Sequence, residues 1–423
     1  MALEREIGFM TRQTGVFGWD NLLDEDEQNP ELRWPQSVKI YDRMRSEDAQ
    51  VGSVLRAVTM PIMSTQWAID PNGADDEVVD LVSQDLGLPI RGRRATALPR
   101  LRGRFSWMEH LRHALLSLVF GHAFFEQVYR IDDAGKAHLR KLAYRPPQTI
   151  SAIEVAADGG LVAISQHGWA TSKEVRIPVD RLVAYVSERE GGRWQGRSLL
   201  RQAYKDWLLK DRALRVQSMT LERNGLGIPT YTGAPIPDGA TPAERDAWVE
   251  SQLESGLKLA TELRAGQSAG ASIPHGAKLT MQGVDGDLPN SDAPIRYYDE
   301  QIARAVLAHF LNLGTETGSW ALGSTFADFF TQTLNAVAQS VADTAQQHVI
   351  EDLVDLNWGE SAPAPRLVFD RIGSTITADA IKALIDCGAI WPDKTLEEHL
   401  RDSFNLPAQD LSSRQQAKTE VEP

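Results

Sequence analysis

The sequence predicts an α+β fold built from more than one structural unit. Its 423 residues exceed what one hydrophobic core usually serves, and at about 150 residues per domain roughly two to four units are expected. Residues 124–166 alternate apolar and polar side chains in strand-length runs, which indicates antiparallel hairpins. Longer stretches on either side carry apolar residues at helical spacing. Strands gathered in one region and helices in others are typical of α+β proteins.

Composition narrows the class of protein. Hydrophobic residues at 42% and charged residues at 24% are ordinary for a globular protein. No run approaches the ~20 apolar residues that cross a bilayer, and the charged opening of the chain is unlike a signal peptide. Cys387, the one cysteine, has no partner in the chain for a disulfide. The sequence therefore predicts a cytoplasmic location and no membrane contact.

The net charge of −14 argues against tight binding of nucleic acid, which relies on clustered lysine and arginine. Any contact with DNA is expected to be transient. Residues 91–145 depart from the acidic balance, with 12 basic against 4 acidic side chains. Different parts of the chain are therefore expected to meet different partners.

The first half of the chain is predicted to be an arm followed by mixed helices and strands. Residues 1–36 lack periodicity, and Trp19 and Trp34 suggest that this arm docks onto another surface. Residues 37–62 predict one helix, and Ser106 is placed to cap a second. The strands predicted in this half lie at 66–69, 124–131, 138–144, 149–155, 161–166 and 182–187.

A long helix is predicted after the glycine-rich residues 191–196, ending near Gly225 in a left-handed cap. Its apolar residues recur at every seventh position between charged flanks, as Leu200, Trp207, Leu214 and Leu221. This stripe suits helices packed side by side in an oligomeric ring, and a surface helix on a sheet fits it equally well. The next predicted elements are strands at 228–231 and 278–282 and helices at 242–263 and 295–313.

Three glycines, at 314, 318 and 323, then separate that helix from another amphipathic helix at 326–353. They are predicted to leave a mobile polar loop. The residues of interest in this break are Gly314, Thr315, Glu316, Thr317, Gly318, Ser319, Trp320 and Gly323. A strand at 367–370 and a helical pair to about residue 404 precede a polar tail.

No catalytic motif stands out. The chain lacks the G-x-x-x-x-G-K-[ST] phosphate loop and the G-x-S-x-G nucleophile elbow. His110, His113 and His122 are close in sequence, but without a carboxylate or cysteine partner they are predicted to pack or lie on the surface. The acidic residues 70–77 lack the ligand spacing of a calcium loop and predict a solvated turn. The sequence thus predicts no catalytic residue, cofactor or metal site.

Three stretches together resemble the portal proteins of tailed bacteriophages, especially the Mu-like prophage branch. They are residues 41–67, residues 196–229 beginning GRSLLRQAYKDWLLK, and residues 313–359 beginning LGTETGSWALG. They occur in the order of the family and cover most of the chain, which is more specific than any one of them.

The resemblance implies a portal-type subunit with an α/β wing, long stem helices, a small α/β clip and a short helical crown. The implied boundaries are an N-terminal arm at 1–36, the wing at 37–196, stem helix 1 at 197–227, the clip at 228–290, stem helix 2 at 291–313, a tunnel loop at 314–325, a wing return helix and strand at 326–372, a crown-like helical pair at 373–407 and a disordered tail at 408–423.

The resemblance also implies a function. Portal subunits form a ring, usually of twelve copies, at one capsid vertex, through which double-stranded DNA enters and leaves. The implied partners are the major capsid protein and scaffold, the terminase, a head–tail adaptor and, transiently, DNA. The implied location is the virion, after assembly in the bacterial cytoplasm. Two alternatives stay open: another head structural protein, such as a minor head or adaptor subunit, and a nucleic-acid or cell-wall hydrolase.

Overall fold

The computed structural model describes residues 27–93, 105–168, 173–226, 228–262, 272–282, 292–306, 320–373, 382, 385–387 and 397, with side chains at all of these except 222–226, 228, 262 and 320–327. Residues 1–370 form one compact unit and residues 371–423 a second. The arm before Glu27 and most of the predicted crown and tail lie outside the described residues. Helices combined with small antiparallel sheets confirm the α+β prediction.

Two consecutive helices open the described chain where the sequence predicts one. Helix α1 spans Gln36–Glu47 and helix α2 spans Ala49–Ser64. Asp48 separates them because its backbone is extended and its carboxylate accepts hydrogen bonds from the N–H groups of Gln50 and Val51. An aspartate at this N-cap position starts a new helix.

Strand β1, Trp67–Asp70, leads into helix α3, Asp76–Leu86. The predicted solvated turn at 70–77 is wrong at its C-terminal end, because Asp76 and Glu77 form the first turn of this helix. Acidic side chains at that position stabilise a helix N-terminus. The helix ends at Gly87, whose φ of 66° is left-handed.

Helices α4, Trp107–Ala114, and α5, Ser117–Phe120, precede six strands that form two sheets. These strands are β2, His122–Ile131, β3, Ala137–Arg145, β4, Ile150–Val155, β5, Leu161–His167, β6, Glu174–Pro178, and β7, Leu182–Val186. One antiparallel sheet has the order β3-β2-β7 and the other the order β4-β5-β6. The alternating sequence pattern predicts all of these strands except β6.

Helix α6, Tyr204–Leu226, follows a short 3-10 turn at Leu199–Arg201. Strand β8, Ile228–Thr232, helix α7, Pro242–Glu262, and strand β9, Lys278–Gln282, form a small insert in which the two strands pair antiparallel. Helix α8, Asp292–Ala305, then packs along α6. A helix, a small α/β insert and a second helix thus follow one another along the chain.

Helix α9, Trp320–Ala345, continues through a π-helical turn, Gln346–Glu351, into helix α10, Asp352–Trp358. The predicted loop boundary at residue 325 is therefore wrong, because α9 already includes Trp320 and Gly323. A glycine within a helix costs only about 1 kcal/mol relative to alanine, which is too little to stop a long helix. Strand β10, Arg366–Phe369, returns to pair antiparallel with β1.

Two clusters of buried side chains form much of the core. The first joins α1, α2 and α5 to the start of α6 and to α8, and the second lies between the two three-stranded sheets. Leu32 belongs to the first cluster and is 4% exposed. The last part of the predicted arm, from residue 27 to residue 35, therefore packs on the core and does not extend freely from it.

Candidate functional site

A buried lysine in helix α6 pairs with carboxylates from two other parts of the chain. The Lys210 ammonium lies 2.9 Å from Asp48 and 2.6 Å from Asp299, and its side chain is 9% exposed. Burial lowers the pKa of Lys210, but hydrogen bonds to the two carboxylates outweigh burial and raise it above its ordinary value. Helices α6 and α8 and the residue that caps α2 therefore meet at one charged group. Its signal in the sequence is a lysine three residues after Trp207, on the predicted apolar stripe.

The predicted stripe on this helix divides into a buried half and an exposed half. Leu200 and Trp207 are buried in the first core cluster, and Leu200 lies in the 3-10 turn before the helix. Leu214 and Leu221 are 40% and 67% exposed. The prediction that Leu200 and Trp207 contact a neighbouring subunit is wrong, because the core of their own subunit already covers both side chains. For Leu214 and Leu221 the ring contact stays a prediction.

A second exposed apolar flank lies on the same helix. The side chains of Leu208, Val216 and Met219 are 47%, 47% and 49% exposed. At about 100° of rotation per residue, these three share one side of the helix. Leu214 and Leu221 lie on roughly the opposite side. The exposed part of α6 thus carries apolar residues on two sides.

The predicted channel loop falls mostly outside the described residues. This applies to Gly314, Thr315, Glu316, Thr317, Gly318 and Ser319. Trp320 and Gly323 contribute backbone to the first turns of α9. The contacts of the loop therefore stay a prediction.

Helix α7 of the insert presents an apolar stripe to solvent. Its inner face packs on strand β8, where a Cβ added at Gly256 would lie 2.3 Å from the Tyr231 ring. On its outer face, Leu253 and Leu257 are 69% and 72% exposed. Acidic and apolar side chains together line a shallow groove there: Asp246, Val249, Glu250, Leu253, Glu254 and Leu257. None of the sequence predictions concerns this face, although Val249, Leu253 and Leu257 recur at every fourth position.

The sheets and helix α6 are joined where two glycines cross. Gly121 and Gly196 have positive φ values of 88° and 61°, and a Cβ on Gly196 would lie 2.2 Å from the Gly121 carbonyl oxygen. The Ser187 N–H donates to the Gly121 carbonyl at 2.8 Å, and the Arg197 N–H donates to the Ser187 carbonyl at 2.9 Å. The chain therefore approaches α6 from a fixed position at the sheet edge.

The three histidines considered as metal ligands each pack against other groups. His110 Nε2 lies 2.8 Å from the Tyr185 hydroxyl, and burial lowers the pKa of His110 to about 3. His122 Nδ1 lies 3.0 Å from a backbone carbonyl oxygen, and burial lowers its pKa to about 4. His113 stacks on Tyr144. Within the described ranges, no group of three or more histidine, cysteine, aspartate and glutamate side chains is arranged to hold a metal ion.

Several cations of the basic segment, residues 91–145, are paired with acidic side chains of the same subunit. Arg93 lies 2.6 Å from Asp80, and the Lys136 ammonium lies 3.3 Å from Glu77. Such pairs leave less positive charge for contacts outside the subunit.

Comparisons with known proteins agree with this architecture. A family model described as the portal protein of Mu bacteriophage matches residues 38–406. A chain from the virion of a native gene transfer agent particle aligns with a TM-score of 0.53 at 13% identity, covering 89% of this chain and 95% of that chain. A chain from the neck of the native particle, computed with C12 symmetry, aligns with a TM-score of 0.52 at 13% identity and the same coverage.

A chain from the neck of the empty particle aligns with a TM-score of 0.53 at 14% identity, again over 89% of this chain and 95% of that one. In the part of the chain that the structure describes, no helix is long and apolar enough to cross a membrane. The family match spans far more than half of the sequence and confirms the predicted resemblance. The chain therefore belongs to the family of Mu bacteriophage portal proteins.

Proposed function

We propose that this portal subunit assembles into a closed ring of twelve copies at one capsid vertex, with double-stranded DNA passing through its centre. The observation that carries the proposal is the pair of apolar flanks on α6, which the subunit leaves exposed. A closed ring needs two different and complementary surfaces on each subunit. Opposite sides of one helix supply such surfaces, so that the stem helices of neighbours can pack side by side. The similar neck structures were computed with C12 symmetry and, for the empty particle, with C6 symmetry, and a ring of twelve copies is compatible with both.

The charge of the subunit suits a channel through which DNA slides. A subunit with a net charge of −14, repeated around a ring, can form a lumen that does not hold phosphates. Residues 314–325 contain no lysine or arginine, so the tunnel loop among them would contact DNA sterically and not through ion pairs. Deleting residues 315–322 should therefore impair DNA packaging or retention in a phage assay. Normal packaging and retention after this deletion would contradict the role of the loop.

The remaining partners are proposed from the surfaces available to them. The wing, with the basic segment at 91–145, would face the major capsid protein and scaffold, and contact of that segment with packaged DNA is the alternative. The groove on α7 would receive the terminase during packaging and the head–tail adaptor afterwards, because a mixed acidic and apolar face fits a basic amphipathic partner. Assembly would take place in the cytoplasm of the bacterial host and end in the virion.

The ring is tested with purified protein, by light scattering coupled to gel filtration and by negative-stain microscopy. The double variant Leu214→Lys/Leu221→Lys should lose the ring and elute as smaller species, because charged side chains would have to be buried between stems. Ile131→Lys is the matched control, since Ile131 is 76% exposed at the end of strand β2. Rings that persist in the double variant would contradict the proposed contact, as would equal loss in the control.

The two alternative functions are distinguished in different ways. The stem, clip, stem order and the glycine break of the chain discriminate against a minor head or adaptor subunit. A hydrolase would cleave DNA or cell wall in a metal-dependent way, which a nuclease assay on the purified protein would detect.

A further inference from the structure

A cavity of about 590 Å³ lies at the junction between the wing and the start of the first stem helix. Its walls come from the segment before α1, from α1, from the end of α5, from β4 and from the loop that leads into α6. Ligand pockets in proteins typically measure about 300–1,000 Å³. Neither ring assembly nor the DNA channel uses this cavity.

Four arginines and three glutamates line the cavity, so positive side chains exceed negative ones by one. The arginines are Arg33, Arg193, Arg197 and Arg201, and Arg193 lies 3.3 Å from Glu190. Arg201 is held by Glu27, with Nη2 and Oε1 at 2.7 Å. Arg197 is 55% exposed, and Glu190, at 3.9 Å, is the one carboxylate that it contacts among the described residues. A guanidinium group offers five N–H donors, so Arg197 can bind a further carboxylate.

Another part of the wall is apolar and carries an unpaired donor. The side chains here are Leu32, Trp34, Phe120 and Ile153. The indole N–H of Trp34 is buried and has no acceptor among the described residues. A buried donor without a partner costs about 1–3 kcal/mol. The cavity therefore suits an occupant that combines an aromatic side chain, a hydrogen-bond acceptor and carboxylates.

The N-terminal arm has this chemistry and starts from the same place. Glu27, the first described residue, itself lines the cavity. In residues 17–26, with the sequence FGWDNLLDED, two aromatic and two leucine side chains accompany four acidic ones, without lysine or arginine. Trp19 precedes Glu27 by eight residues, which span about 26–29 Å when extended and are long enough to fold back.

We propose that residues 17–26 of the same chain occupy this cavity, with Trp19 against the apolar wall and the acidic residues 24–26 at Arg193 and Arg197. The arm would then tie the segment before α1 to the loop that carries the chain into the first stem helix. This intramolecular site does not depend on ring formation. The proposal for the arm can therefore be wrong while the proposed ring is right, and the ring can be wrong while the arm is right.

Site-specific cross-linking in the full-length protein tests the proposal. In a Cys387→Ser background, Trp19→Cys is combined with Ile153→Cys on the cavity wall or, as a second position, with Glu188→Cys at its edge. A short bismaleimide should join each pair within one chain, giving a monomer of altered mobility on a denaturing gel. The matched control combines Trp19→Cys with Ile131→Cys, which lies nine residues along strand β2 from His122 and hence about 30 Å from it.

Three outcomes would overturn the proposal: no cross-link above the control at either position, cross-links only between two chains, or a yield that does not depend on the arginines. Adding Arg193→Glu and Arg197→Glu should lower the yield by at least about threefold, because two exposed ion pairs are lost. Unchanged circular dichroism and an unchanged unfolding midpoint would show that the charge-reversed protein is folded. Chains with two different tags, mixed before assembly, distinguish the arm of a neighbour from the arm of the same subunit.

Discussion

Replacing Gly196 with alanine tests whether the close approach of Gly121 and Gly196 fixes helix α6 to the sheet. The φ of 61° alone costs an L-residue about 1–2 kcal/mol. The new Cβ would lie 2.2 Å from the Gly121 carbonyl oxygen and 2.8 Å from the Ser187 carbonyl oxygen, whereas ordinary contact begins at 3.4 Å. Both oxygens belong to the backbone and accept hydrogen bonds, so the sheet edge or the loop must move. Such forced movement costs about 1–3 kcal/mol, and we expect a total loss of about 2–5 kcal/mol.

Gly135→Ala is the matched control, since its φ is 81° and an added Cβ would meet nothing within 4 Å. It should cost only the about 1–2 kcal/mol of the left-handed backbone. Urea unfolding, followed by tryptophan fluorescence and by circular dichroism, measures both variants. Equal losses of unfolding free energy in the two variants would show that the close approach of the two backbones at Gly196 adds no cost. This result would refute the prediction.

Two further predictions concern buried charge and are measured by the same unfolding experiment. Lys210→Met should destabilise the subunit by about 3 kcal/mol, because Asp48 and Asp299 would face each other without a cation. A loss of unfolding free energy no larger than that caused by replacing an exposed lysine would contradict this prediction. Since the folded-state pKa of Lys210 is raised, its stabilisation is complete below the ordinary pKa of 10.5 and is lost as the pH rises further, a loss that the variant should not show. Burial lowers the pKa of His110 from its ordinary value of 6.5 to about 3 in the folded protein, so stability should fall as the pH drops through this window. His110→Phe keeps the aromatic packing and should reduce that fall, and an unchanged pH profile would argue against the buried neutral imidazole.

Much of the two three-stranded sheets and of the small insert follows from local sequence patterns. Alternating side chains suffice to predict a strand with one buried face, and turn residues such as Gly135 mark the hairpins between them. The alternating pattern does not predict strand β6, because Ile177 is the only buried residue of this strand. The division of α1 from α2 depends on one residue, Asp48, which in the sequence resembles any polar position on a helix surface.

The candidate site was harder to predict, because periodicity shows which residues share a helix face but not what covers that face. Trp207 and Leu214 are equivalent in the seven-residue repeat, yet the core of the subunit covers only the first. The pairing of Lys210 with Asp48 and Asp299 joins distant parts of the chain, so no local pattern reveals it.

The π-helical turn at Gln346–Glu351 gives one long helix two packing directions. One extra residue in a turn rotates everything after it by about 100°. An uninterrupted α-helix would place Leu356 on the buried side of α9, but Leu356 is 57% exposed, whereas Val354 is fully buried. Closing this turn into an ordinary α-helical turn without removing a residue would therefore rotate α10 by about 100° and bring Leu356 towards the buried side, whereas removing one residue at the same time would keep the present facing of α10. At this point the number of residues constrains the protein more strictly than their identity.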